Sequence, residues 1–576
     1  MDTSTSLPVH DMSIERNVRI PMRDGTLLDA TVWRPEAAGA YPVLVERMPY
    51  ELERRCSRNA EYYAQRGYVF VGQNVRGVRA SGGEYEFLSA DAWGEKQDGY
   101  DTIEWAGVQP WSNGKVGMVD GSYSGTTQYL LAPTRPPHLE ALYVREAFAL
   151  DHATCFPGGA FNWAFLLGAS MHQTLEDILQ PRKTSPEVYA ACAQLEHAIK
   201  ELPAWLHQLP LKSCWPLQEV TDHVPFLDML DHPHDGPFWW PLTVAHKYAE
   251  VDVPVFHLGG WFDPFLGNTL RCFQGVRTGG QTAFCRQSQR LVVGPWAHGP
   301  NMIGLCHAGE MDFPGAEFDL QAQRLRWYDH WLKGVDNGVM EGPPVRVYLM
   351  GENRWLDLDA WPPSGTRPTA LYLHEGTGRT ADSLNNGRLD WAPPNTDERP
   401  DSLHYDPQDP VPSLLGYPDL GPRDFCPLEG RMLTYSTAPL EHDLVVVGAP
   451  KAILHGTSFA PDTDWVVRLC DVQPDGRSMS ICDGILRARY RDSRERAKLM
   501  VPGRPYRFEL DLAATAYCFA AGHRLRIHVT SSDFPRYDRN LNTGGPFGEE
   551  AHGQVAVNTV FHDAMQPSHV LLPVMP

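Results

Sequence analysis

Between residues 18 and 35 the chain reads VRIPMRDGTLLDATVWRP, with apolar and polar positions alternating on either side of Asp24-Gly25, a pair that favours a tight turn between paired strands. This predicts an antiparallel hairpin at the start. Short apolar runs then recur at 42–47 (PVLVER), 68–73 (YVFVGQ), 116–119, 142–145, 255–260 and 291–294, each running into a loop. The stretch 51–66 between the first two fits a helix, and strands that alternate with helices predict a parallel sheet with crossover connections. From Phe148 to about Lys247 the strand signals stop and the text turns helical and aromatic, which reads as an insertion between two sheet strands. The sheet resumes near Val253 and closes with a helix over 317–333, whose Leu and Trp residues recur at helical spacing. From about Val345 onward nearly every segment is a short strand bounded by Pro, Gly, Asn or Asp, the pattern of a β-sandwich or jelly roll.

Composition narrows the classes. A chain of 576 residues with 17 Trp, 22 Tyr and 22 Phe is folded and not disordered, and its length fits about three or four domains. No apolar run reaches the ~18 residues of a membrane span, and the first 20 residues lack the layout of a signal peptide, so a cytoplasmic protein is expected. Lys and Arg number 50 against 71 Asp and Glu, a net charge of −21 that disfavours nucleic-acid backbones and anionic membranes and leaves small molecules as the expected partners. A homo-oligomer is left open. The 11 Cys are scattered without a C-x-x-C pair, which fits reduced thiols and speaks against a structural zinc site.

The candidate chemistry begins at 111–132, WSNGKVGMVDGSYSGTTQYLLA, where a strand, a turn of small residues and a helix-compatible run follow one another. A nucleophilic serine needs such a corner, which exposes its oxygen and aims the next backbone N–H at a developing oxyanion. The strict G-x-S-x-G pattern is not met, so pattern alone leaves Ser122 and Ser124 as candidates, with helix capping as the plainer use of either. The match to G-x-V-G-M-x-x-x-S-Y-x-G-x-T-Q, from Gly114 to Gln128, resembles the elbow of the cocaine esterase / X-prolyl dipeptidyl peptidase family of serine hydrolases. The resemblance extends to PMRDGTLLDATVWRP, to residues 67–77 and 98–118, to GGWFDPFLGNTLRCF and LVVGPWAHGP, and to 522–544. It implies that the serine before the tyrosine, Ser122, is the nucleophile.

A serine needs a base, and the base an orienting carboxylate. Asp263 follows the strand VFHLGG and His298 follows LVVG, so both fall just past strand ends where α/β folds gather functional groups, in the chain order Ser, Asp, His of α/β-hydrolases. Family motifs around both imply Asp263 as the acid and His298 as the base. The oxyanion would meet the N–H of Tyr123 and, from the family's R-x-P-Y motif at 47–50, the hydroxyl of Tyr50. The expected fold class is therefore α/β: an α/β-hydrolase domain in two parts (1–148 and 248–350), a helical cap insertion (149–247) and an all-β jelly-roll domain (351–576). No cofactor and no metal is expected.

Two departures bear on activity. Asp120 stands where the family usually has glycine, so the elbow must fit a side chain there, and a catalytically degenerate binding protein stays open. Family members acting on α-amino acid esters carry acidic residues after the catalytic Asp, whereas Pro264, Phe265 and Leu266 follow Asp263 here. An apolar acyl pocket is expected, lined by Phe161, Trp163, Phe165 and Phe265, with Glu310 and Asp312 as acids able to reach it from elsewhere. His232-Pro233-His234-Asp235 has the look of metal ligands without their spacing, and the glycines after Arg76 lack the Lys-Ser/Thr ending of a phosphate loop. The sequence reads as a serine hydrolase cleaving a small-molecule carboxylic ester or amide through an acyl-enzyme. An X-prolyl dipeptidyl aminopeptidase and an acyltransferase using the same triad are the alternatives.

Overall fold

The strands around Asp24-Gly25 do form a hairpin: β1 (Met12–Pro21) pairs antiparallel with β2 (Leu27–Pro35) in the computed structural model, which describes residues 5–149, 151–217, 225–376, 378 and 380–576. From there the sheet grows through β3 (Tyr41–Met48), β4 (Val69–Asn74), β5 (Ser112–Met118), β6 (Leu139–Arg145), β7 (Val255–Gly260) and β8 (Arg290–Gly294). Its spatial order is β1-β2-β4-β3-β5-β6-β7-β8, and every pairing from β4 to β8 is parallel. Parallel strands need crossovers, and helices supply them, among them α1 (Leu52–Ala64) between β3 and β4 and α2 (Tyr123–Leu131) between β5 and β6. Both faces of the sheet are thereby covered, which is why its short strands are nearly all apolar: Val43, Val45, Val69, Val71, Leu258 and Val293 are fully buried.

The sheet runs two strands past β8. β9 (Val345–Leu349) pairs parallel with β8, and β10 (Arg354–Leu358) folds back on β9, so the expected change of architecture after residue 350 falls after β10 instead. The reason is local, since Gly351, at φ +87°, reverses the chain and keeps β10 beside the strand before it. The helix expected over 317–333 is α3 (Leu320–Lys333), started by the side chain of Asp319 and ended by Gly334.

Between His152 and Glu250 the described residues form helices and turns and no strand, the longest being Trp163–Gln173 and Pro186–Lys200. They enclose their own core, in which Phe161, Trp163, Trp215, Phe226 and Trp239 are buried. From Arg367 to Met575 the chain forms a second, 13-stranded sheet system, antiparallel except where Gly387–Asp390 meets Leu433–Ser436. Its core, with Leu371, Leu454, Trp465, Val467 and Ile527, is continuous with that of the first sheet through Val347, Leu349 and Trp261. No helix among the described residues is long and apolar enough to cross a membrane.

Two glycines let the sheet's loops approach one another. A Cβ on Gly260 would lie 2.1 Å from the carbonyl oxygen of Trp296, because the chain after β7 runs directly against the chain after β8, where the N–H of Phe262 donates to that same oxygen at 3.1 Å. A Cβ on Gly121 would lie 2.3 Å from the carbonyl oxygen of Arg145. Both obstacles are backbone and cannot rotate away. Gly260→Ala should therefore lower the thermal unfolding midpoint, with the roughly 1–3 kcal/mol cost of an overpacked core. An unchanged midpoint in calorimetry would mean that the two loops can part freely.

Candidate active site

The elbow is built by three backbone facts. After β5 the chain turns through Asp120 (φ +85°) and Ser122 (φ +56°, ψ −123°) before entering α2. Two non-glycine residues at positive φ cost about 1–3 kcal/mol each and persist only when the surroundings hold them. Here the end of β6 does so: the N–H of Ser122 donates to the carbonyl of Arg145 at 3.0 Å, and the N–H of Arg145 to the carbonyl of Asp120 at 3.4 Å. Behind the turn, the N–H of Thr126 donates to the carbonyl of Ser122 and starts the helix. The N–H of Tyr123 is at the first helical position, where no intrahelical acceptor exists.

The two serines then separate. Ser122 Oγ lies 3.2 Å from His298 Nε2, whereas Ser124 is buried and donates to Glu46 Oε1 at 3.3 Å. On the far side of the imidazole, His298 Nδ1 lies 2.9 Å from Asp263 Oδ1, and the same oxygen accepts the N–H of Phe265 at 3.1 Å. Serine, histidine and aspartate follow β5, β8 and β7 at the C-terminal edge of the parallel sheet.

A second, unforeseen carboxylate stands nearby. Glu146, fully buried at the end of β6, lies 3.9 Å from His298 Nδ1 and accepts the N–H of Gly299 at 2.9 Å, with Arg145 as its ion-pair partner. Burial pushes its carboxyl up, partly offset by Arg145 and His298. Glu146, Asp263 and His298 gather donor atoms within 4.8 Å of one another. Glu146 Oε2 is engaged by Arg145 and Gly299, Asp263 Oδ1 by Phe265 and His298, and His298 Nε2 by Ser122, while Glu146 Oε1 and Asp263 Oδ2 have no hydrogen-bond partner.

Asp120 fits the elbow because its charge is used. Its carboxylate meets Arg145 at 2.8 Å and Arg324 of α3 at 3.6 Å and accepts from Asn59 at 3.0 Å. Burial alone would raise its pKa, but Arg145 and then Arg324 outweigh that and hold it at about 2. Glu46 has no such pairing: burial and the nearby Asp120 raise it well above the usual carboxylate range.

Ser122, His298 and Tyr50 line one cavity of about 780 Å³. Burial, then the nearby Asp177 carboxylate, raises the Tyr50 hydroxyl and so keeps it a proton donor. The Tyr50 ring meets that of Tyr123 edge-on at 6.4 Å. On the other side of His298, Phe265 packs edge-on at 4.9 Å, Tyr417 lies at 5.4 Å, and Phe165 touches both of these rings. Phe165, Phe265 and Tyr417 line a separate pocket of about 210 Å³.

Phe161 and Trp163, expected in that pocket, are instead fully buried in the helical core. Helical spacing turns Phe165 outward and Trp163 inward, where its indole N–H donates to the carbonyl of Leu206 at 2.9 Å. Glu310 and Asp312 line neither space, and Glu310 accepts the N–H of Asp424. His232 and His234 face different partners, the Asp228 carbonyl and the Tyr490 hydroxyl. Tyr417 carries no motif and lies far along the chain. Arg145 and Glu146 had a usable signal, charged residues at the C-terminal end of a buried strand.

An α/β-hydrolase-like sheet with a serine at a strained strand–helix turn, hydrogen-bonded to a histidine from a neighbouring strand end, defines the class as a serine hydrolase. Residues 24–300 match the model of the X-Pro dipeptidyl-peptidase (S15 family), and residues 337–571 that of the X-Pro dipeptidyl-peptidase C-terminal non-catalytic domain. The chain is 34% identical over 582 residues to a cocaine esterase of Rhodococcus sp. (strain MB1 Bresler), covering 98% of this chain and 99% of that protein. It belongs to the cocaine esterase / X-Pro dipeptidyl-peptidase (S15) family of serine hydrolases. Among solved structures it is similar to an α-amino acid ester hydrolase, with a TM-score of 0.77 and 26% identity over 100% of this chain and 97% of the other. An aminopeptidase from a marine-sediment Thaumarchaeota archaeon shares the fold, with a TM-score of 0.78 and 24% identity over 100% of this chain and 97% of the other.

The pairing of Asp120 has a measurable consequence. A folded-state pKa of about 2, below the ordinary value near 3.8, stabilises the folded chain at any pH above ~4 and is lost as pH falls toward 2. Asp120→Asn should lower the neutral-pH unfolding midpoint, with a cost of about 2 kcal/mol. The gap to wild type should narrow between about pH 4 and pH 2, and a pH-independent gap would rule out the ion pairs as its source.

Proposed function

We propose that this protein hydrolyses a small-molecule carboxylic ester through an acyl-enzyme. The observation that carries the reading is the continuous contact chain from Ser122 Oγ through His298 to Asp263, at 3.2 and 2.9 Å. In this reading His298 Nε2 takes the proton of Ser122 as its oxygen attacks the carbonyl, and Asp263 orients the ring and stabilises the imidazolium. The tetrahedral oxyanion accepts from the Tyr123 N–H and the Tyr50 hydroxyl. As the carbonyl reforms, His298 passes its proton to the departing alcohol oxygen, and water then attacks the acyl-enzyme with the same base. Glu146 acts as a positioning residue, holding the histidine loop through Gly299.

The helices between His152 and Glu250 are read as a cap over the sheet edge, and the C-terminal strands as a jelly roll whose Tyr417 reaches the histidine. Two observations weigh against the alternatives. A dipeptidyl peptidase needs a negative subsite for the substrate's free amine, and the open wall of the cavity beside Ser122 carries arginines. A degenerate elbow is disfavoured because Asp120 is paired within it and leaves Ser122 in contact with His298.

A fluorophosphonate probe should label Ser122 alone, and Ser122→Ala should abolish labelling and ester turnover. Adduct on Ser124, or none on folded protein, would overturn the reading. Tyr50→Phe should lower kcat by about 10²–10³ with labelling site unchanged, the cost of one oxyanion donor. A kcat within twofold of wild type would remove Tyr50 from the mechanism.

A further inference from the structure

The cavity beside Ser122 has a wall that the proposed ester hydrolysis does not use. Arg54, Arg55 and Arg58 lie on α1 at positions i, i+1 and i+4, all three exposed and all lining the cavity. Their charges are weakly engaged: Arg54 is 3.8 Å from Glu176, with both side chains about half exposed or more, and Arg55 lies over the ring of Tyr50 at 4.6 Å. Arg58 has no acceptor among the described residues. At the back of the same cavity stands Arg324, 3% exposed, which donates to Asn59 at 3.3 Å; its Nη1 lies 3.6 Å from Asp120, beyond hydrogen-bond distance, and its buried Nε has no hydrogen-bond acceptor.

The carboxylates that line the cavity itself are engaged by other groups or disfavoured as charges. Asp120 is shared among Arg145, Asn59 and Arg324, Asp319 accepts the N–H of Ala322 at the start of α3, and burial disfavours charge on Glu46. On the opposite side of His298 the rings of Phe265 and Tyr417 pack against the imidazole, and with Phe165 they line a pocket whose two arginines are already paired, Arg271 with Asp151 and Arg536 with Asp483 and Asp533. The reacting centre thus has aromatic rings on one side and weakly engaged guanidinium groups on the other.

We propose that the substrate is an ester carrying a carboxylate, received by Arg54, Arg55 and Arg58 with Arg324 behind them, while its apolar part enters the aromatic pocket. This rests on the ester-hydrolase reading and adds the substrate's charge to it. Guanidinium groups suit the role, since each presents parallel N–H donors to a carboxylate's two oxygens. The carboxylate can belong to the acyl or to the alcohol part, and the two are separable by experiment.

The test compares kcat/KM within matched pairs: 4-nitrophenyl butyrate against 4-nitrophenyl hemisuccinate for a charge on the acyl part, and phenyl acetate against 3-carboxyphenyl acetate for a charge on the alcohol part. Wild-type protein should favour the charged ester by about tenfold or more in at least one pair. Arg54→Gln with Arg58→Gln should reduce that ratio about tenfold, Arg58→Lys should keep most of it, and raising the salt roughly tenfold should shrink it. Binding of monobutyl succinate to Ser122→Ala protein, lost when the two glutamines are added, reads the same wall without turnover. Protein that binds the monoester but turns over none of the four esters keeps the anion-binding subsite and fails as an ester hydrolase. Turnover with no charge preference in either pair, or a preference that the two glutamines leave unmoved, overturns the proposal.

Discussion

The site depends on one buried side chain, the guanidinium of Arg145 at the end of β6. Its backbone carbonyl accepts the N–H of Ser122, its side chain pairs with Asp120 two residues before the serine, and it pairs again with Glu146, which holds Gly299 next to His298. The elbow, the histidine loop and the sheet edge are therefore tied to a single fully buried cation. Taking a guanidinium out of water is costly unless its donors are matched, and two carboxylates match its Nη1 and Nη2, leaving only Nε without a partner. The strain of two residues at positive φ is tolerable in the same place because the ion pairs fix the turn from outside its own backbone.

This arrangement explains why an aspartate can stand at position 120. A glycine there would reach φ +85° without penalty but would leave Arg145 and Arg324 facing each other with less negative charge between them. Asparagine and aspartate are the side-chain-bearing residues that most readily enter the left-handed region, and of these only aspartate carries the charge. The departure from glycine belongs with Arg324, which comes from a helix some two hundred residues later. Neither residue makes sense alone.

That dependence marks the boundary of what was legible in the sequence. Placement just past buried strands pointed to the turn holding Ser122 and Ser124, to Asp263 and to His298, and the family resemblance then chose Ser122 and gave the other two their roles. The hairpin, the helical stretch and the C-terminal strands were legible as periodicities within one segment. Phe161 and Trp163 were assigned to the pocket because aromatic residues two apart look alike in one dimension, and only the helix's placement decides which of Phe161, Trp163 and Phe165 faces the site. Tyr417, Arg324 and the arginines of α1 become neighbours only when three distant segments pack together, and no local pattern encodes that.

The charge of the chain carries the same lesson about range. A net −21 describes a long-range field that opposes anions, yet at physiological salt that field fades over about 8 Å, and the cavity walls are nearer to a bound molecule than that. Within the cavity the balance is set by which carboxylates remain free: Asp120 is paired, Asp319 caps α3 and burial disfavours charge on Glu46. Overall composition therefore bears on which macromolecules stay away, whereas selection among small molecules rests on a few guanidinium groups whose partners were used elsewhere. The aromatic and cationic halves meet at His298, so a substrate spanning both would bring its reacting carbonyl to the point where Ser122 stands.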